Sequence, residues 1–172
     1  MKVSGLNIYR IPMLVAEISA NHNGSLKTAL DIIEAAKWAG ADAVKFQTFD
    51  PDQMAVPYTI QHGAWAGYDM VQLYKEAQTP RSWHKPLFDH AKSLGLIVFS
   101  TPFHQNDVDF LESLNCPIYK IASFELTDLQ LIEYTAKTGK PIIMSTGMAS
   151  YIDIQMAVGT ARKYTDDITL LH

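Results

Sequence analysis

Short, nearly continuous apolar runs alternate with longer amphipathic stretches along this chain, and the alternation continues to its last residue. Met13 to Ile18, Ala43 to Gln47, Leu96 to Ser100, Pro117 to Ile121, Pro141 to Ser145 and Ile168 to His172 read as strands. Apolar residues at helical spacing fill most of the intervals, as in Leu26, Ala29, Leu30, Ile33 and Ala36. Three strands share one lead-in, a helix-stopping glycine just before the apolar run: Gly40, Gly95 and Gly139. Strands that are apolar on both faces and alternate with helices require a parallel sheet covered by helices.

Two architectures satisfy that pattern, an open doubly wound sheet and a (β/α)8 barrel. No GxGxxG follows the first strand, so the dinucleotide-binding form of the open sheet has no support. A (β/α)8 TIM barrel takes about 250 residues. With 172 residues and six strands, the expectation is the N-terminal part of a TIM-barrel catalytic domain, spanning residues 1–172. An unclosed barrel leaves a parallel edge open, which is an aggregation liability.

Between the elements, Ser25 is placed to cap the helix that ends near Ala39, and Pro80 to open one that runs to about Leu94, with Pro86 leaving that start open. Helices are also expected over Tyr68 to Ala77, Gln105 to Leu114, Asp128 to Lys137 and Ile152 to Tyr164. Thr48 to Gly67 is too long for an ordinary connection, and long irregular loops often carry function.

Composition excludes other classes. The chain is 48% hydrophobic and 19% charged, enough apolar residues for a core and too many for a disordered tail. Its net charge of -4, with dispersed bases, argues against a nucleic-acid surface. No run approaches the roughly 20 apolar residues of a membrane span. The opening MKVSGLNIYRIP has no signal-like apolar core, so a cytoplasmic protein is expected. Cys116 alone makes no disulfide or CxxC site and is expected to be a small buried residue. The six histidines show no HxH or HExxH spacing, so no metal site is expected from this chain alone. Trp38, Trp65 and Trp83 are expected in packing, Trp65 in the long loop being the one with a second use as a sugar platform.

In both architectures the active site sits at the C-terminal ends of the strands. Those ends carry Glu17 with Asn21 and His22, Lys45 with Gln47, Ser100 with Thr101, Lys120 with Ser123 and Glu125, and Ser145 with Thr146 and Gly147. Two lysines, several hydroxyls and an acid pair suit a small substrate bearing phosphate and carboxylate. Each also has a structural reading. The lysines could snorkel, Glu17 could serve only as a lysine's partner, Glu125 could favour a helix N-terminus, and Ser145 to Gly147 could be a helix entry.

Ala16-Glu17-Ile18-Ser19-Ala20-Asn21-His22-Asn23-Gly24, Val44-Lys45-Phe46-Gln47-Thr48, Phe99-Ser100-Thr101-Pro102-Phe103, Tyr119-Lys120-Ile121-Ala122-Ser123-Phe124-Glu125 and Met144-Ser145-Thr146-Gly147-Met148 together resemble the sialic acid synthase family. Those enzymes condense phosphoenolpyruvate with an N-acylated amino sugar to give a nonulosonic acid. Phe124, where other branches usually carry glycine, and the Trp65, Leu73-Tyr74 and Thr79-Pro80 to Trp83-His84 region look most like the pseudaminate branch. The resemblance implies a TIM barrel followed by an antifreeze-like domain, in a domain-swapped homodimer. It implies that Lys45, Thr101, Lys120, Ser123 and Ser145 hold phosphoenolpyruvate. Glu125 and Gln47 would approach the sugar, or water on a divalent metal, and Glu17 would be an acid/base near the reacting carbons. The metal, usually Mn2+, would polarise the sugar aldehyde from two histidines beyond residue 172. Competing readings are an N-acetylneuraminate or legionaminate synthase, a class I aldolase using Lys45 or Lys120, and a non-catalytic phosphoenolpyruvate-binding partial barrel.

Overall fold

The structure, a computed structural model, describes residues 12–172 together with the backbone of Lys2–Val3 (β1) and Leu6–Asn7 (β2). β1 and β2 form a two-residue antiparallel ladder. The rest of the MKVSGLNIYRI stretch lies outside the described residues.

Six parallel strands make the sheet, in chain order: β3 (Val15–Glu17), β4 (Ala43–Thr48), β5 (Ile97–Pro102), β6 (Tyr119–Ile121), β7 (Ile142–Ser145) and β8 (Ile168–Leu171). Neighbours in space are neighbours in sequence, as right-handed βα crossovers produce. The result is a half-barrel of α/β type, as expected from the strand pattern.

Helices α1 (Leu26–Trp38), α2 (Pro51–Met54), α3 (Met70–Ala77), α4 (Arg81–Ser93), α5 (Gln105–Ser113), α6 (Leu129–Ala136) and α7 (Tyr151–Ala161) fill the intervals. Ser25 caps α1 by accepting from the Thr28 amide. Gly40 ends α1 with φ +88°, a conformation that costs a side-chain-bearing residue about 1 kcal/mol or more. Pro86 lies inside α4, which runs unbroken from Arg81. Both Pro86 and Ser82 are exposed, so water can satisfy the carbonyl that loses its helical partner. The long segment after β4 contains α2, capped by the Asp50 carboxylate, and is otherwise irregular.

Alternation along the strands sorts core from site. In β4, Phe46 and Thr48 face the helices: Phe46 stacks on Phe88 of α4, and Thr48 meets His84 of α4. Lys45 and Gln47 therefore face the interior of the half-barrel. Tyr119 faces outward to Glu112 of α5, which puts Lys120 on the interior. The outer layer, including Ile33, Leu87, Phe88, Leu111 and Leu131, is fully buried against the strands. Each such side chain contributes about 1.5–3 kcal/mol through removal from water.

Trp38 departs from expectation. It is 92% exposed at the end of α1 and takes no part in packing. As the residue before the Ala39 C-cap it points away from the sheet, so its apolar character has no core to enter. Cys116 is buried as expected, its thiol donating to the Ile118 carbonyl, and burial pushes its pKa up to about 11. Among the described residues no helix is long and apolar enough to cross a membrane.

Candidate functional site

Strand register assembles the site before any side chain is considered. Glu17 pairs with Lys45 across β3 and β4, and Gln47 pairs with Thr101 across β4 and β5. Lys120 pairs with Ile143 across β6 and β7, leaving Ser145 two residues further on the same face. All eight candidates thus come to the C-terminal end of the half-barrel, in two adjoining groups.

The first group is a line of charges. Lys45 Nζ is ion-paired with Glu17 Oε2, and Ser19 Oγ donates to Glu17 Oε1 at 2.6 Å. Ser19 reaches that carboxylate from a left-handed backbone (φ 43°), which costs a non-glycine residue about 1–3 kcal/mol. Lys120 Nζ donates to Ser145 Oγ at 2.6 Å and to its neighbour's carbonyl, Ile121 O, at 2.8 Å. Lys120 is only 7% exposed. Burial, then repulsion from Lys45, lowers its pKa to about 8, with Glu17 and Glu125 opposing the shift. Two cations on neighbouring interior positions, one of them partly desolvated, leave an electrostatic demand that an anionic ligand would meet.

The Glu17 side chain is 43% exposed, so this carboxylate is open to water. It lies on β3, which among the described residues pairs with β4 alone.

The second group lines a cavity of about 390 Å³ with Gln47, Ser123 and Glu125 among its walls. Phe49 holds one side, edge-on to both Tyr74 and Phe103. Glu125 lies in a 3-10 turn, Phe124–Thr127, just before the Asp128 cap of α6. Its Oε2 is buried with no hydrogen-bond partner among the described residues. Burial raises its pKa, against its own backbone amide and the charge of Lys120. A helix N-terminal acid in its ordinary setting would be paired or hydrated; this one borders the cavity and keeps one oxygen buried without a partner. Ser123 packs close to the following loop, where a Cβ on Gly147 would stand 3.3 Å from its Oγ. Ser145 to Gly147 are not a helix entry, because α7 starts later, behind its own Ser150 cap.

Other strand-end residues turn out to be structural. Ser100 faces the helices and bonds Thr48 Oγ1 at 2.6 Å, and Thr48 in turn bonds His84 Nε2 at 2.8 Å. His22 is buried, its Nδ1 accepting from the Gly24 amide at 3.1 Å, and Thr146 bonds Leu171 O at 2.9 Å. Thr101 faces inward beside Gln47 but is 1% exposed, so it lies at the floor of the site.

Among the described residues no three of His, Cys, Asp and Glu gather as metal ligands. The unpartnered Glu125 oxygen is a single donor and does not make a cage. The residues described do not fit a bound metal by themselves.

The arrangement was missed by sequence in one respect. Asn23, Trp65 and Trp83 share a second cavity of about 610 Å³ beside the first, and only the length of the loop that carries Trp65 hinted at it.

Known proteins are similar to this chain in sequence and in fold. Pseudaminic acid synthase of Helicobacter pylori is 47% identical over 166 residues, covering 93% of this chain and 49% of that protein. Pseudaminic acid synthase of Campylobacter jejuni (serotype O:2) is 42% identical over 155 residues, with 87% and 45% covered. N,N'-diacetyllegionaminic acid synthase of the same species is 37% identical over 169 residues, with 93% and 50% covered. The N-acetylneuraminic acid synthetase structure from Leptospira borgpetersenii superposes with a TM-score of 0.84 at 29% identity, covering 93% of this chain and 53% of that one. The chain spans about half the length of the curated relatives it matches. The NeuB family profile matches residues 32–172, the stretch that carries every candidate residue except Glu17, and the chain belongs to the NeuB family.

Proposed function

We propose that the full-length protein carrying this chain condenses phosphoenolpyruvate with an N-acylated amino sugar, giving a nonulosonic acid and phosphate. The observation that carries this reading is the buried Lys120, held by Ser145 and repelled by Lys45 on the interior of the half-barrel. Phosphate and carboxylate on one small molecule satisfy both lysines, with Thr101, Ser123 and Ser145 adding hydrogen bonds. Likeness to pseudaminic acid synthases supports 2,4-diacetamido-2,4,6-trideoxy-altrose as the sugar and pseudaminic acid as the product.

In this mechanism the methylene carbon of phosphoenolpyruvate attacks the aldehyde carbon of the open-chain sugar. The aldehyde oxygen takes a proton and becomes a hydroxyl. Water adds to the former enol carbon, and phosphate leaves with cleavage of its C–O bond, generating the keto group. Glu125 suits the proton donor, because burial favours its protonated form. Glu17, paired with Lys45, suits the base that draws a proton from water. On the resemblance, a divalent metal, with Mn2+ the expectation, would be held by ligands beyond residue 172 and would polarise the aldehyde, and a homodimer is proposed on the same ground; a cytoplasmic location is proposed with it.

The test is phosphate release by the full-length protein from phosphoenolpyruvate with Mn2+ and either the diacetamido sugar or N-acetylmannosamine. Release with the first alone supports the pseudaminate reading, and release with N-acetylmannosamine moves it to the sialate branch. Silence with both, from folded and metal-loaded protein, overturns it. The lowered pKa of Lys120 also suits an imine-forming aldolase. A borohydride-trapped adduct with pyruvate at Lys120 would favour that reading instead.

A further inference from the structure

Helix α3 borders two cavities. Ala77, in its last turn, borders both: the cavity of Gln47 and Glu125 on one side, and the larger one of about 610 Å³ on the other. The larger cavity is bounded by the turn that follows Glu17 (Ala20, Asn23, Gly24), by Trp65 from the long loop, and by Gln78 and Trp83 around the start of α4.

Its indoles are restrained. Trp65 is 53% exposed yet held edge-on by Tyr68, with ring centres 5.8 Å apart. Trp83 is packed on the core and meets the buried His22 ring edge-on at 5.5 Å. A half-open indole costs apolar exposure unless something covers it, and a fixed ring loses little entropy when it is covered.

The charged groups of this cavity are already paired. Lys75 bonds Asp52 at 3.1 Å, and Glu76 accepts from Gln72 Nε2 at 3.0 Å. Neither group resembles the buried Lys120 amine, whose hydrogen bonds go to a hydroxyl and a carbonyl instead of a carboxylate, and the lining of indoles with the Asn23 and Gln78 amides suits a neutral ligand with both methyl and amide groups. In a two-substrate reaction where one substrate is a dianion or trianion held at Lys45 and Lys120, the neutral partner is the amino sugar. A sugar with two acetamido groups and a 6-deoxy carbon has traded hydroxyls for methyls, which an indole covers better than it covers hydroxyls.

Resting on the function proposed above, we infer that the Trp65–Trp83 cavity holds the acyl-bearing end of the amino sugar, and that Trp65 sets the preference for the deoxygenated diacetamido sugar. Trp65 is a specificity residue and not a catalytic one, because it borders none of the groups placed at the reacting carbons.

The experiment compares the full-length wild type with Trp65→Ala and Trp65→Phe. Steady-state rates are measured with each sugar, and calorimetric titration with the diacetamido sugar alone measures binding. The expected result for Trp65→Ala is a KM for the diacetamido sugar raised about tenfold or more, with kcat and the KM for phosphoenolpyruvate within about twofold of wild type. Its preference over N-acetylmannosamine falls by a similar factor, and Trp65→Phe lies between. An unchanged sugar KM in Trp65→Ala, in an enzyme that turns over normally, overturns this inference and leaves the proposed reaction standing. If the wild type turns over neither sugar, the titration decides. Binding that Trp65→Ala abolishes keeps the cavity assignment while the reaction fails, and no binding by the wild type sinks both.

Discussion

Lys120 Nζ lies 2.6 Å from Ser145 Oγ, joining the ends of β6 and β7 through a buried amine whose pKa is lowered to about 8. Burial and Lys45 both disfavour its charged form, so an anion that binds beside it must favour that form and raise the pKa. Free protein below pH 8 is already protonated and binds without proton uptake. Above pH 8 the free amine is neutral, and binding must take up a proton. Affinity for phosphoenolpyruvate is therefore expected to be flat below pH 8 and to fall up to about tenfold per pH unit above it. Calorimetry in buffers of different ionisation enthalpy at pH 7 and pH 9 checks this, since uptake appears only at the higher pH. Equal proton uptake at both values, or tighter binding at pH 9, contradicts the assignment. Lys120→Met should bind weakly at both.

The helix-facing partners of the site make a second titration. His84 Nδ1 sits 3.1 Å from the Pro80 carbonyl, an acceptor only, so that nitrogen carries the proton. Nε2 then accepts from the Thr48 hydroxyl, and Thr48 Oγ1 accepts from Ser100. Burial lowers the His84 pKa to about 4 from an ordinary 6.5. Between those values the unfolded chain binds a proton that the folded chain refuses, so stability falls as pH drops through that window. The loss at pH 5 is about 2 kcal/mol. His84→Gln, which keeps a donor and an acceptor, should fold and lose most of this acid sensitivity. Urea denaturation of both proteins at pH 7 and pH 5 measures it, and an unchanged pH difference in the variant refutes the account.

Gly147 offers a test of the loop contact. A methyl there stands 3.3 Å from Ser123 Oγ, too close without a small shift, and the half-buried Ser123 hydroxyl is the group that must give way. Gly147→Ala is expected to raise the KM for phosphoenolpyruvate several-fold while moving the melting temperature by less than about 2 °C. Because both changes act on one hydroxyl, Gly147→Ala should add little to Ser123→Ala. Additive effects in the double variant would show that the glycine matters for another reason.

The architecture was legible because it rests on periodicity and punctuation. Gly40, Gly95 and Gly139, each with positive φ, end helices where the apolar runs begin, and every sheet strand falls on one of those runs. The lysines were legible for the same reason, since odd positions of β4 and the middle of β6 had to face inward. Parity also explains the error at Ser100: adjacent to Thr101 in sequence, it points to the opposite side of the sheet and bonds Thr48. Trp38 was misread on its aromatic character alone, since it lies off the repeat of Ala29, Ile33 and Ala36 that faces the core. The Trp65–Trp83 cavity brings together residues from an irregular loop, a turn and a helix start, and no local period announces that meeting.

Asp107 holds the β5–α5 corner from inside. Its carboxylate accepts from the Phe103 amide at 3.2 Å, the His104 amide at 2.9 Å and Arg81 Nη2 at 2.7 Å, while being 1% exposed. Arg81 in turn lies over the Phe110 ring at 4.8 Å. Two walls of the site depend on this anchor, because Phe103 borders the cavity of Gln47 and Glu125, and Arg81 opens the helix that bears Trp83. Asp107→Asn keeps the shape and one good acceptor but removes the charge facing Arg81. It is expected to cost about 2–4 kcal/mol of stability and to raise the sugar KM more than the phosphoenolpyruvate KM. The asymmetry is the informative part. General loosening would weaken both substrates alike, whereas displacement of Phe103 and Trp83 leaves the Lys45 and Lys120 positions on β4 and β6 in place. Denaturation curves with paired KM measurements on the full-length protein test it, and equal changes in the two KM values would show that Asp107 supports the fold without shaping the sugar side of the site.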